Sequence, residues 1–228
     1  VSVHSFAQSP IGWMFLAFMV VSLVFSFGVF FWRFNALRSM ASLESSLSRE
    51  AAFLVNNLLF LGVTFVTLWG VVFPLVSQVF QGVTVTVAAP YYNQMNGPLL
   101  LALVLLMGVG PLLPWRRSSW ASVARASRVS GIGALLLMVI LFIIGVRHPF
   151  ALVSFGVCAL ITVSVFQEWG RGVRARHRRG ENYFVAFGGL IAANRPRYGG
   201  YIVHLAMVLL AVGITGYYFY GVKKDGSL

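Results

Sequence analysis

The sequence predicts an all-α, polytopic membrane protein with about six transmembrane helices. Three observations carry that expectation. Of 228 residues, 59% are hydrophobic and only 10% are charged. The apolar residues fall in runs long enough to cross a bilayer. The cations cluster in the connections between those runs. A soluble domain of this size needs far more polar surface. The net charge of +12 suggests nucleic acid at first sight, but its distribution between apolar runs is how a polytopic protein marks its cytoplasmic loops. No nucleic-acid partner is expected. The single cysteine, Cys158, lies in an apolar run, so there is no internal disulfide and no CxxC redox or zinc site.

The elements follow in order. Residues 1–10, VSVHSFAQSP, are a polar segment without acid, lysine or arginine. The first span covers 11–34, with Trp13 and Trp32 as interfacial anchors. Residues 35–50 form a polar connection whose Ser/Glu spacing suits a short interfacial helix. The second span covers 51–76 and carries the adjacent amides Asn56 and Asn57, which in lipid seek partners on other helices. Residues 77–97 hold no formal charge, and their VTVTV alternation suggests a short extended piece. Spans are expected at 98–114, 129–146 and 150–166, the last two joined by the turn Arg147-His148-Pro149. A strongly basic loop follows, and the sixth span covers 199–221, ending in the aromatic cluster Tyr217 to Tyr220. The whole, 1–228, is expected to form a single transmembrane bundle.

Arginine sets the expected orientation. Fourteen arginines (33, 38 and 49; 116, 117, 125 and 128; 171, 174, 176, 178, 179, 195 and 197) fall in three loops on one side, against Arg147, Lys223 and Lys224 on the other. The positive-inside rule makes the basic loops cytoplasmic and both termini extracytoplasmic. The chain starts at Val1 and stops soon after a span, so a fragment or one piece of a split protein is expected.

Few residues carry chemistry. His204 lies inside the sixth span, about 8 Å from its cytoplasmic end at 1.5 Å per residue. An ionisable group at that depth has either a ligand or a helix–helix hydrogen bond to make. Gly199 and Gly200 leave room beside it for a close-packed neighbour or a flat ligand. A bis-histidine haem site needs two rings facing each other, and no second histidine lies deep in a span. Arg195 and Arg197, beside Tyr198, suit a propionate or a lipid phosphate, and are equally ordinary positive-inside markers. His4, His148 and His177 read, taken alone, as a surface, a turn and a solvated-loop histidine. None of the five acids (Glu44, Glu50, Glu168, Glu181 and Asp225) falls mid-span, which removes the usual proton relay of a coupled transporter. There is no Walker loop, GxSxG elbow or HExxH motif.

Five stretches together resemble the cytochrome c haem lyase family of the CcmF and NrfE type. They are SVHSFAQSP at 2–10, LESSLSREAAFLVNNLLF at 43–60, PYYN at 90–93, MGVGPLLPWRR at 107–117 and NRPRYGGYIVHLAMVLLAVGITG at 194–216. The resemblance implies that His204 is one axial ligand of a membrane b-type haem, and that His4 is one of two external histidines on the haem being delivered. It implies attachment of haem through thioether bonds to the CxxCH of apocytochrome c. The implied partners are a haem chaperone, apocytochrome c with its thiol-handling chaperones, and membrane lipid, and the implied location is the bacterial inner membrane.

The chain also departs from the family pattern. It lacks the tryptophan-rich WWD segment, the two opposite histidines and the large domain expected after the sixth span. The expectation is a middle-to-C-terminal membrane portion, incomplete as a lyase, facing an N-terminal half or partner chain that supplies those parts. Two other functions compete: a non-catalytic scaffold subunit of the maturation complex, and a haem transporter.

Overall fold

A computed structural model describes residues 11–38, 45–83, 85–113 and 119–221. His4, the Trp115-Arg116-Arg117 cluster and the two lysines lie outside the described residues. The described chain is helical, with no strand among the described residues. Six helices are long and apolar enough to cross a membrane: Gly12–Trp32, Arg49–Gln81, Ala89–Leu112, Trp120–Ile143, Pro149–His177 and Arg195–Tyr220. In chain order the elements are α1 (Gly12–Trp32), α2 (Phe34–Leu37), α3 (Arg49–Gln81), α4 (Ala89–Val109) running into a 3-10 turn at Gly110–Leu112, α5 (Trp120–Ile143), α6 (Pro149–His177), α7 (Tyr183–Ala193) and α8 (Arg195–Tyr220).

Contacts divide the chain into two compact units, Val1–Glu44 with Asn57–Leu100, and Ser45–Asn56 with Leu101–Leu228. In the first, α1 is apolar all round and outward-facing, with Trp13 and Trp32 exposed, as suits a helix solvated by lipid. The body of α3 continues through Pro74 to Gln81, where Gly82 at φ +66° ends it. Val85 N–H then donates to Ser77 Oγ at 3.1 Å, folding the connection back on the helix it leaves.

α4 begins at Ala89, nine residues before the expected start at 98. Pro90 suits a first turn, and Pro98 is accommodated inside the helix. Two polar contacts to α3 hold this early segment: Tyr91 Oη donates to the Val66 carbonyl at 3.3 Å, and Asn96 Nδ2 to Thr67 Oγ1 at 3.2 Å. Such cross-helix bonds compensate for the polarity that makes residues 89–97 look like a loop.

The second unit is built on α6. Val157, Cys158, Ile161 and Val165 pack against Tyr201 and Val208 of α8, with Leu101, Val104 and Met107 of α4 covering the cluster. Ser154 and Thr215 exchange a buried 2.7 Å hydrogen bond between α6 and α8. Gly108 lets α4 approach closely, since a Cβ there would run into the Ile161 side chain.

The basic region after 166 is largely helical rather than a loop. α6 continues to His177, and α7 occupies Tyr183–Ala193, capped by Asn182 Oδ1 on Phe184 N–H at 3.2 Å. Both oxygens of Glu181 take hydrogen bonds from Arg176 at 2.8 Å, and Gly180 at φ +97° makes the turn. Arginine-rich ends do not stop a helix, because arginine is a good helix former and these residues sit in the last turns, facing the negative dipole end.

Candidate functional site

α8 starts four residues before the expected 199, because Asn194 Oδ1 caps the Arg197 N–H at 3.2 Å and Pro196 suits the first turn. His204 therefore lies nine residues along α8, about 14 Å from its start, near the middle of a 26-residue helix. Its ring is half-buried and meets Tyr201 edge to face, with centroids 6.0 Å apart and an interplanar angle of 69°. No described residue hydrogen-bonds the imidazole, so the helix–helix bond that competes with a ligand role has no partner among the described residues.

The ring borders a cavity of about 660 Å³, within the second unit and within the roughly 300–1,000 Å³ typical of ligand pockets. Two helices wall it with matching stripes. α8 contributes Arg197, Gly200, Tyr201 and His204; α3 contributes Arg49, Ala52, Phe53 and Asn56. Both follow the i, i+3, i+4, i+7 spacing of one helix face, and both run arginine, small residue, aromatic, then a nitrogen-bearing side chain. Leu106, Met107, Gly110 and Pro111 from the end of α4 complete the wall. The polar end of the cavity is thus made where α3 and α8 begin, and two helix N-termini favour negative charge there. A Cβ at Gly200 would meet nothing within 4 Å, so that position opens on free space.

The two arginines differ in their bonding. Arg197 Nη2 donates to Glu168 Oε2 at 3.0 Å, and Arg171 donates to the other carboxylate oxygen. Arg49 Nη2 donates to the Pro111 carbonyl at 3.1 Å, while its Nε is buried with no partner among the described residues.

Of the sequence candidates, His204 and Arg197 come together in this cavity. Arg195 is exposed and Tyr198 packs toward the α6 core, in edge-to-face contact with Tyr201, so neither lines it. His148 lies against the Phe219 ring at 4.0 Å, and His177 bonds the Glu181 carbonyl at 2.7 Å and stacks on Tyr183. Arg49 and Asn56 are site residues that sequence reading took for a charge marker and for interhelical glue. The signal was present in the matched stripes RxxAFxxN and RxxGYxxH, each spaced for one helix face.

The group implied by the family resemblance is haem, and these residues fit it. An unbonded imidazole borders a space walled by Phe53, Leu106 and Met107, and the cations Arg49 and Arg197 line the same space, where they suit the carboxylates of a porphyrin. Among the described residues there is no group of three or more His, Cys, Asp or Glu that could hold a bare metal ion.

No protein-family model matches the chain. It is similar to the cytochrome c-type biogenesis protein CcmF of Haemophilus influenzae, with 27% identity over 233 residues, 99% of this chain and 34% of the relative. CycK of Rhizobium meliloti is 30% identical over 221 residues, 94% of this chain and 31% of the relative. CcmF of Escherichia coli is 29% identical over 226 residues, 99% of this chain and 33% of the relative. Among solved structures, the cytochrome c haem lyase CcmF superposes with a TM-score of 0.61 at 26% identity, covering 93% of this chain and 30% of that one. The chain spans about a third of the length of the curated relatives it matches. With matches running nearly end to end along this chain and a shared helical fold, the chain is similar to about a third of the CcmF and CycK cytochrome c-type biogenesis proteins.

Proposed function

We propose that this chain is a membrane subunit or portion of a cytochrome c haem lyase, holding haem while its thioether attachment to the CxxCH of apocytochrome c takes place. The observation that carries the reading is His204, an imidazole without a hydrogen-bond partner among the described residues, in the wall of a 660 Å³ cavity. Bound there, haem b would supply a redox-active iron for keeping the delivered haem reduced.

The work of the chain's own residues is binding and orientation. His204 offers a nitrogen lone pair from a rigid helix, and the Tyr201 edge limits the ring's rotation. Phe53, Leu106 and Met107 give the cavity beside the imidazole an apolar wall for the face of a macrocycle. Arg197, its guanidinium held by Glu168, places a cation seven residues before His204, about 10 Å along the helix axis. Arg195 and Tyr198 would act on the rim, since neither lines the cavity. His4 is the proposed ligand to the haem under transfer, on the external side.

The opposite ligands, and the tryptophan-rich segment, would come from a partner chain or segment. The remaining proposed partners are a haem chaperone, apocytochrome c and thiol-handling chaperones. The basic connections would face the cytoplasm, with both termini outside the inner membrane.

The test is a reduced-minus-oxidised spectrum of the tagged chain purified from membranes with the partners it retains. A b-type signal in the wild type, lost in His204→Ala with helical content preserved, is expected. An unchanged spectrum in that variant would sink the assignment.

A further inference from the structure

Arg49 is the one cavity-wall cation with no counter-charge among the described residues. The ion pairs of the described chain are Arg171–Glu168, Arg197–Glu168 and Arg176–Glu181, and Arg49 belongs to none of them. Its guanidinium, permanently charged and able only to donate, spends Nη2 on the Pro111 carbonyl and leaves a buried Nε unused. Arg49 as a whole is half-buried, and a partly desolvated cation is stabilised when an anion meets it. Arg49 is the first residue of α3, at the positive end of the helix dipole, where the neighbouring Glu50 is the acid of the first turn. The Pro111 bond holds the guanidinium in place in the cavity wall. Arg197, by contrast, already has its carboxylate in Glu168.

We infer that Arg49 is the anchor for the oxyanion of an amphiphilic ligand in this cavity, and that the oxyanion is a propionate of haem. This rests on the haem reading above and adds to it a residue from a helix remote in sequence. The matched stripes supply the geometry. Arg49 precedes Asn56 by the same seven residues that separate Arg197 from His204. One end of the cavity is therefore cationic, and the imidazole lies about two helical turns further along α8. A flat macrocycle with carboxylates on one edge has that arrangement of needs. A lipid phosphate offers the same charge, and only the imidazole argues for the porphyrin.

The experiment titrates haem b and its dimethyl ester, which lacks both carboxylates, into the haem-depleted tagged chain purified with its partners. Wild type is expected to bind the acid about tenfold more tightly than the ester, the size of one charge-assisted hydrogen bond. Arg49→Gln should abolish that preference while leaving ester affinity within about twofold, and Arg49→Lys should restore part of it. Equal loss for both forms would make Arg49 merely structural and overturn the proposal. So would a preference unchanged in Arg49→Gln. Phosphatidylglycerol retained by wild type and lost from Arg49→Gln, with no acid preference, would transfer the guanidinium to lipid. If His204→Ala keeps the wild-type spectrum and affinity, the haem reading itself falls. If His204→Ala loses them while Arg49→Gln keeps the acid preference, only the Arg49 assignment falls.

Discussion

Glu168 on α6 holds Arg197 on α8 through a 3.0 Å hydrogen bond and takes a second bond from Arg171 one turn further along its own helix. A single carboxylate thus ties the first turn of the site-bearing helix to the core helix. It also gives Arg197 a counter-charge, shared with Arg171. The bond is partly open to solvent, with side-chain exposures of 53% for Arg197 and 17% for Glu168.

That exposure limits what the pair contributes to stability. A double-mutant cycle of Glu168→Gln and Arg197→Gln, followed by thermal unfolding in detergent, should give a coupling of about 0.2–1 kcal/mol that shrinks as salt is added. A coupling well above that range, insensitive to salt, would mean that the pair is shielded far more than its exposure implies.

Gly200 gives a test that separates cavity from scaffold. A Cβ there meets nothing within 4 Å, and leucine is a better helix former than glycine by roughly 0.8 kcal/mol. Gly200→Leu should leave the melting temperature unchanged or slightly raised, while haem retention falls at least about tenfold, or 1.4 kcal/mol. Full retention in a stably folded variant would place the ligand elsewhere.

The proposed orientation is open to labelling. In a Cys158→Ala background, which removes the one natural thiol, single cysteines at Arg178 and Arg147 should react from opposite sides of the membrane. Membrane-impermeant maleimide added to intact cells should modify Arg147→Cys and spare Arg178→Cys until the membrane is opened. The reverse pattern would invert the topology and put His204 nearer the external face.

The count of six long apolar helices was legible in the sequence, because the bilayer imposes both length and composition on a span, and an apolar run of about 20 residues satisfies its own backbone there as a helix. Where polar residues pair across helices the reading was less accurate. The start of α4 was hidden because Tyr91 and Asn96 look like loop residues until α3 supplies Val66 and Thr67 as partners. α7 was hidden because the surrounding arginines dominated residues 167–198, although YFVAFGGLIAA is apolar throughout.

The site divides along the same line. His204 stood out in the sequence alone, since an imidazole within an apolar run is a local anomaly that needs no neighbour to be noticed. The importance of Arg49 did not, because a single arginine at the start of a span is an ordinary topological marker. Its meaning depends on what its donors meet: the Pro111 carbonyl takes one, and the buried Nε meets nothing among the described residues. Composition and periodicity determine which segments enter the membrane. Which faces of α3, α4 and α8 enclose one cavity is decided only by packing between residues far apart in the sequence, 62 positions in the Arg49–Pro111 bond, where the satisfaction of each buried polar group is a property of the assembled helices.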